Sequence, residues 1–244
     1  MSRRRAAILA EMGLAPLWRR RAKRAAPPES TETPDAEAVP ATPVPVAAEA
    51  RETGIATMDW SRLQQAVGAC TACALSRTRT QTVFGVGDEH AEWLLVGEAP
   101  GAEEDRLGEP FVGQAGKLLD NMLAAIDLQR AKNVYIANVL KCRPPGNRNP
   151  QPDEVAKCSP FLLRQLGLIR PRLIVAMGRF AAQTLLDTDA SIASLRGRVH
   201  QYAGVPLIVT YHPAYLLRNL PDKAKAWADL VFARRTMAGL KQDQ

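Results

Sequence analysis

The chain has 244 residues, of which 46% are hydrophobic and 23% are charged, and its formal net charge is +7. A chain of this length can bury a complete hydrophobic core, in one or two domains. No apolar stretch is long enough to span a membrane, and the N-terminus lacks an apolar segment like that of a signal peptide. We therefore expect a cytoplasmic protein without a membrane anchor, in which the cysteines stay reduced.

The N-terminal quarter of the chain differs in composition from the rest. Residues 1–25 are rich in arginine and have apolar residues at helical spacing, interrupted by Pro16, which predicts a basic arm with one or two short helices. This arm is either a docking segment for DNA or for a replication or repair protein, or a solvated tail. Residues 26–57 are rich in proline, alanine and acidic residues, which predicts a disordered linker. The folded domain is expected to span residues 58–244.

From Asp59, which has the side chain of an N-cap, helical and strand patterns alternate along the chain. Short apolar runs predict strands, and apolar residues three and four positions apart predict helices. Strands are expected at 93–96, 134–138, 173–177 and 207–210, and helices from 60 to about 70 and at 116–126, 153–166, 179–186 and 223–237. The alternation predicts an α/β fold with about four parallel strands and helices on both faces of the sheet.

The stretch from Trp93 to Ile126 has the pattern of a ligand-binding segment. A buried strand is followed by a loop with several glycines and acidic residues, and then by an amphipathic helix. In α/β proteins, ligands bind at the carboxyl ends of the strands. Glycines there let the backbone approach a ligand closely, and carboxylates can hold a water molecule.

The four cysteines form one close pair, Cys70 and Cys73, and two distant singles, Cys142 and Cys158. Four converging thiolates can hold either a tetrahedral zinc ion or an iron–sulfur cluster. The spacing alone does not separate the two, although the lack of a second close pair favours a cluster. Four unrelated buried thiols are the ordinary structural alternative.

Five short segments together resemble the family 4, or iron–sulfur, uracil-DNA glycosylases. The segments are GEAPG at 97–101, PFVG at 110–113, AGKLL at 115–119, NVLKCRPP at 138–145 and HPAYLLR at 212–218. The resemblance implies a three-layer α/β/α fold with a structural 4Fe–4S cluster on the four cysteines, zinc being the second choice. It also implies hydrolysis of the N-glycosidic bond of uracil in DNA, which releases the flipped base and leaves an abasic site for base-excision repair.

The resemblance assigns roles to three residues of the pocket. His212 would donate a hydrogen bond to uracil O2 as negative charge develops on the leaving base. Asn138 would accept from uracil N3–H and donate to O4, and Phe111 would stack on the flipped base. Without the resemblance, the same residues read as a loop histidine, a strand-ending asparagine and a core phenylalanine.

The residue that orients the attacking water is left open by the sequence. Other uracil glycosylases have an aspartate at the position of Ala99, so Glu98 is our first candidate and Glu104 the second. Glu104 could instead lie against uracil position 5 and exclude thymine. Gly97 and Ala99 are expected to form part of the uracil pocket.

The protein is expected to be a monomer that acts on uracil-containing DNA at the bacterial nucleoid. DNA contacts are expected from side chains near the pocket mouth, with two leucines available to fill the vacated base stack: Lys141, Arg143, Arg148, Arg218, Leu216 and Leu217. Two alternatives remain: a non-catalytic iron–sulfur module that binds DNA or a polymerase, and a related glycosylase with a broader substrate range.

Overall fold

The computed structural model describes residues 45–242, which contain a six-stranded, mostly parallel sheet with helices on both faces. The spatial order of the strands is β1-β3-β2-β4-β6-β5. The four central strands are parallel, and β1 and β5 are antiparallel edge strands. The strands are β1 Val86–Gly87, β2 Trp93–Gly97, β3 Val134–Asn138, β4 Leu173–Met177, β5 His200–Tyr202 and β6 Val205–Thr210.

Helices connect the parallel strands along the chain, and among the described residues two more helices precede the first strand and two follow the last. The helices are α1 Pro45–Ala56, α2 Trp60–Gly68, α3 Ala102–Leu107, α4 Gln114–Ala124, α5 Pro152–Ile169, α6 Arg179–Leu186, α7 Ile192–Leu195, α8 Pro213–Arg218 and α9 Lys223–Gln242. Short 3₁₀ turns occur at Ala74–Arg77, Pro145–Asn147 and Leu220–Asp222. Among the residues described, no helix is both long and apolar enough to cross a membrane.

The central strands are buried on both faces because helices cover each side. In β2, Leu94 and Val96 join one core with α5 and α6, whereas Trp93 and Leu95 join the other with α4 and α9. Alternate residues of a strand point to opposite faces, so a strand between two helical layers must be apolar throughout. This explains why the four apolar runs predicted the strands correctly, and the α/β fold class is confirmed.

Two edge strands, the helix α1 and three short helices, α3, α7 and α8, were not predicted. Strand β5 has only three residues, none of them buried, and β1 has only two, so neither carries an apolar pattern. The predicted helix after Asp59 is confirmed as α2. Asp59 is its N-cap, because the Asp59 side chain accepts a hydrogen bond from the Arg62 backbone N–H at 2.9 Å.

Helix α1 corrects part of the predicted linker, because residues 45–56 are helical rather than disordered. Its residue Ile55 is only 3% exposed and packs with Leu63, Val67 and Phe161. The Arg51 guanidinium lies 5.0 Å from the centre of the Phe161 ring. Phe161 comes from a distant part of the chain, and its contacts stabilise a segment whose own sequence has no helical period. The predicted basic arm and the linker up to residue 44 lie outside the described residues.

Candidate active site at the carboxyl edge of the sheet

A cleft of about 700 Å³ lies at the edge where the four parallel strands end. Such a volume is typical of pockets that take a small organic ligand. The carboxyl ends of β2, β3, β4 and β6, together with the residues just after them, supply Glu98, Asn138, Arg179 and His212 to its wall. The structure brings eight of the predicted site residues to this one cleft: Glu98, Ala99, Glu104, Phe111, Asn138, Arg148, His212 and Arg218.

Asn138 ends strand β3 and is only 2% exposed. Its Oδ1 atom is the one buried side-chain polar atom among the described residues that has no hydrogen-bond partner. Buried polar atoms normally have partners, because leaving one unsatisfied costs about 1–3 kcal/mol. An unsatisfied acceptor that borders a cleft is well suited to an N–H donor of a ligand.

Gly97, at the end of the neighbouring strand, is the residue paired with Asn138 across the sheet. A Cβ atom at Gly97 would collide with Asn138 Oδ1 and would lie 2.7 Å from Phe111 Cζ. The absence of a side chain at this position therefore creates the space in which the amide and the aromatic ring meet.

Phe111 has a left-handed backbone conformation with φ of 54° and is 6% exposed. This conformation is unfavourable for a bulky residue and persists only where surrounding contacts hold it. Arg130 provides two of these contacts, to the carbonyl oxygens of Pro110 at 3.0 Å and of Phe111 at 2.9 Å. Asp120 in turn holds Arg130, accepting from its Nε at 3.0 Å.

Glu104 holds the same loop from the other side. Its carboxylate accepts hydrogen bonds from three backbone N–H groups, those of Gly101 at 3.1 Å, Val112 at 3.0 Å and Gly113 at 3.1 Å. These contacts favour a positioning role for Glu104, because both of its oxygens already bind the loops on either side of α3.

His212 is the N-cap of α8, where its Nδ1 accepts a hydrogen bond from the Ala214 backbone N–H at 3.1 Å. A neutral imidazole with Nδ1 as acceptor carries its proton on Nε2. Burial and the nearby positive charge of Arg218 lower the pKa of His212 to about 4. The negative charge of Glu104 acts in the opposite direction and raises this pKa. The ring is therefore neutral at pH 7, with one N–H available, and it stacks on Phe111 at a centroid distance of 5.4 Å.

Glu98 directly follows β2 and is half-buried. Burial raises the pKa of its carboxyl, and the positive charge of Arg179 partly opposes this. A half-buried carboxylate on the cleft wall, with a pKa above its usual range, has the properties of a residue that accepts a proton from water.

Two of the predicted DNA contacts are wrong. Lys141 is 1% exposed and Leu216 is 1% exposed, so neither side chain can reach a phosphate or enter a base stack. Lys141 lies between the buried residues Leu140 and Cys142, and Leu216 packs in a hydrophobic cluster with Tyr211 and Leu230. Leu217, by contrast, is 42% exposed.

The predicted arginines have different environments. Arg218 is exposed at the cleft, and Arg148 lines the cleft while it binds Glu154 through bonds of 2.9 and 2.6 Å. Arg143 donates to Asn147 Oδ1 at 2.7 Å and does not line the cleft.

The four cysteines line a second, smaller cavity. Arg79 Nη1 donates to Cys142 Sγ at 3.0 Å, the Lys141 backbone N–H donates to Cys158 Sγ at 3.3 Å, and Arg51 Nη2 lies 3.7 Å from Cys70 Sγ. N–H donors around sulfur suit thiolate ligands of a metal centre, so the donor set fits an iron–sulfur cluster or zinc. Within the described residues, no group of three or more His, Cys, Asp or Glu side chains meets the geometry for one metal ion.

Burial disfavours free thiolates in this cavity. It raises the pKa of Cys158 to about 12 and also raises that of Cys142, with Lys141 and Arg79 opposing the respective shifts. A metal that displaces the thiol protons would provide the missing stabilisation of the anionic sulfur.

Three side chains that line or contact the two sites were not predicted from the sequence. Arg179 follows β4, and the strand-end rule could have found it. Arg130 and Arg79 lie in loops without any pattern, and no sequence signal points to the carbonyls or the thiol that they contact.

Comparison with known proteins is consistent with this geometry. Residues 84–231 match the model of the uracil DNA glycosylase superfamily. The chain is 53% identical over 157 residues to the Type-4 uracil-DNA glycosylase of Archaeoglobus fulgidus. This alignment covers 61% of the chain and 78% of the relative. The chain is 46% identical to the Type-4 uracil-DNA glycosylase of Thermotoga maritima, in an alignment that covers 67% of this chain and 85% of the relative. It is 41% identical to that of Pyrobaculum aerophilum, where the alignment covers 71% of this chain and 92% of the relative. The chain therefore belongs to the uracil DNA glycosylase superfamily.

Proposed function

We propose that the protein hydrolyses the N-glycosidic bond of uracil in DNA, releasing uracil and leaving an abasic site. The observation that carries the proposal is the unsatisfied Asn138 Oδ1, which lies in the same cleft as Phe111 and His212. Relatives named Type-4 uracil-DNA glycosylases support it, since they share 41–53% of their aligned residues with this chain.

The base is read by Asn138 after the nucleotide leaves the helix. Oδ1 accepts the N3–H of uracil, which ends its unsatisfied state, and the amide nitrogen donates to O4. Cytosine has an acceptor at N3 and a donor at N4, so a fixed amide rejects it. Phe111 supplies the stacking face, and such stacking contributes about 1–3 kcal/mol per base.

Bond cleavage places negative charge on the departing uracil and positive charge on the sugar. The Nε2–H of neutral His212 donates to O2 and stabilises the leaving base. Glu98 orients the water that attacks the sugar, and its raised pKa makes it a better proton acceptor. Glu104 holds the loop of Phe111 through its three backbone contacts.

DNA is held by the basic side chains at the cleft. Arg218 and Arg179 are exposed there and are suited to phosphates, and Leu217 is exposed and can fill the space left by the flipped base. The proposal also includes a monomeric state and a cytoplasmic location. Residues 1–25 are proposed to bind repair or replication proteins.

The four cysteines hold a 4Fe–4S cluster in this proposal, with zinc as the alternative metal. The cluster supplies structural cross-linking between α2, the loop after β3 and α5, and no redox step on the substrate. The hydrogen bonds from Arg79 and from the Lys141 backbone support anionic sulfur at Cys142 and Cys158. Purified protein is expected to be yellow-brown and to contain about four iron atoms per chain.

Release of uracil from a single-stranded oligonucleotide with one deoxyuridine tests the proposal. We expect free uracil and an alkali-labile site with the wild type, and loss of both with His212→Ala. His90→Ala is the matched control, because His90 is exposed and outside the cleft. Binding without release would favour the non-catalytic module, and release of hypoxanthine or mispaired thymine would favour the broader glycosylase.

A further inference from the structure

Lys141 is a fully buried basic residue that the proposed chemistry does not use. Its side chain is 1% exposed, and Nζ donates to the Asn138 carbonyl oxygen at 3.0 Å and to Gln165 Oε1 at 2.6 Å. Gln165 is also buried, and its Nε2 donates to the Phe84 carbonyl oxygen at 2.9 Å. The lysine therefore belongs to a closed hydrogen-bond network behind strand β3.

The network contains no carboxylate. Both acceptors of Nζ are neutral, and none of the ion pairs among residues 45–242 involves Lys141. A buried ammonium without an anion nearby is strongly unfavourable, because it loses its hydration. The cavity that Lys141 lines is the one formed by the four cysteines, and its own backbone N–H donates to Cys158 Sγ at 3.3 Å.

The same side chain reaches the uracil-reading residue. Through the Asn138 carbonyl, Lys141 holds the carboxyl end of β3, where the Asn138 amide borders the cleft. One residue thus lies between the cysteine cavity on one side and the base-reading amide on the other.

We propose that Lys141 is a positioning residue that balances the negative charge of the cysteine-bound cluster and fixes the backbone of Asn138, so that the metal centre determines the position of the uracil-reading amide. The inference rests on the proposed uracil-glycosylase function and on the cluster as its cofactor. It assigns to Lys141 a role that links the two sites, in place of the DNA contact expected from the sequence.

Full-length Lys141→Met protein tests the link. Methionine keeps the length and packing of the side chain but removes the charge and both Nζ bonds. Loss of a buried positive charge should make the cluster reduction potential more negative in protein-film voltammetry. Release of iron to a chelator should become about 10-fold faster, and inhibition by free uracil should weaken by about 10-fold or more.

Lys157→Met is the matched control. Lys157 lines the same cysteine cavity, but its side chain is 48% exposed, and Nζ lies 3.5 Å from Asp153 rather than against β3. In Lys157→Met we expect the reduction potential of the cluster to change less than in Lys141→Met. Inhibition of Lys157→Met by free uracil should match that of the wild type. If both variants give the same potential and the same uracil inhibition, the proposed link is wrong.

Hydrogen exchange on the wild type provides a second measurement in case Lys141→Met does not fold. The Val139 and Leu140 amides donate to Gly97 O at 3.0 Å and to Glu98 O at 3.1 Å. Removal of the cluster with a chelator should speed exchange at these amides but not at Ala176 in β4, and unchanged exchange would overturn the inference. If wild-type protein releases uracil but contains no iron, the proposed cluster and this inference are both wrong. The glycosylase proposal would then still stand.

Discussion

Gly97 and Asn138 are directly paired at the carboxyl ends of β2 and β3, and the missing side chain of Gly97 leaves the space that the Asn138 amide occupies. The pairing makes the amide part of the rigid sheet rather than of a loop. A hydrogen-bonding group held in this way can distinguish two bases by the direction of its donors and acceptors.

Gly97→Ala should strongly reduce uracil release while the protein remains folded. The added Cβ would collide with Asn138 Oδ1 and would lie 2.7 Å from Phe111 Cζ, so both residues must move. We expect a loss of kcat/KM of about 100-fold or more, since a misplaced reacting group has effects of this size.

Gly167→Ala is the control for that substitution. Gly167 lies in α5, and a Cβ there would meet no atom within 4 Å. This variant should retain activity and gain about 0.5–1 kcal/mol of stability, because alanine is the better helix former. Full activity of Gly97→Ala would show that the space beside Asn138 does not matter.

Asn138→Asp should lose most of the activity on uracil. A carboxylate keeps the shape of the amide but has no N–H to donate to O4, and its charge would be buried beside Phe111. We expect kcat/KM to fall by at least about 100-fold, measured by release of uracil from an oligonucleotide. A fall of less than about threefold would contradict base reading by this side chain.

Glu98→Gln and Glu104→Gln should differ in kind. If Glu98 orients water, Glu98→Gln lowers kcat by about 100-fold or more with little change in melting temperature. Glu104→Gln replaces an oxygen that accepts backbone hydrogen bonds, so it should lower the melting temperature and affect kcat less. The reverse pattern would make Glu104 the residue that holds the water.

The pH dependence of kcat/KM should show one acidic limb, set by Glu98. Burial raises the pKa of Glu98 above its usual range, and activity requires its ionised form, so the rate should fall as the pH drops through that raised pKa. His212 should not add a limb near pH 6.5, because its pKa is about 4 and the ring is already neutral there.

Arg179→Met should move this acidic limb to higher pH. The charge of Arg179 lowers the pKa of Glu98, so its removal lets burial raise that pKa further. Arg198→Met, an exposed arginine that does not line the cleft, is the control and should leave the limb unchanged. A downward shift with Arg179→Met would contradict the assignment of the limb to Glu98.

Arg218→Ala should weaken DNA binding in a salt-dependent manner. If Arg218 contacts one phosphate, the slope of log K against log salt concentration should decrease in magnitude by about 1. Arg62→Ala is a suitable control, because Arg62 has a side chain 77% exposed on α2 and does not line the cleft. An unchanged slope with Arg218→Ala would show that Arg218 does not contact a phosphate.

The sheet could be predicted because its central strands are buried on both faces. Such strands are apolar throughout, and the runs at 93–96 and 134–138 are visible without any knowledge of their neighbours. Helix α1 could not be predicted in this way, since Arg51 and Ile55 also contact Phe161, which lies more than a hundred positions away in the chain.

The sequence by itself determined the four central strands, their helices and the chemical types of the site residues, because strand burial and short motifs are local properties. The tertiary structure decided which of two similar residues is exposed: Leu217 faces solvent while Leu216 is buried, and Lys141 is inside while Arg218 is outside. It also decided which carboxylate is already occupied by backbone hydrogen bonds and which acceptor has no partner. These properties depend on contacts between segments far apart in the chain, and no local pattern of residues specifies them.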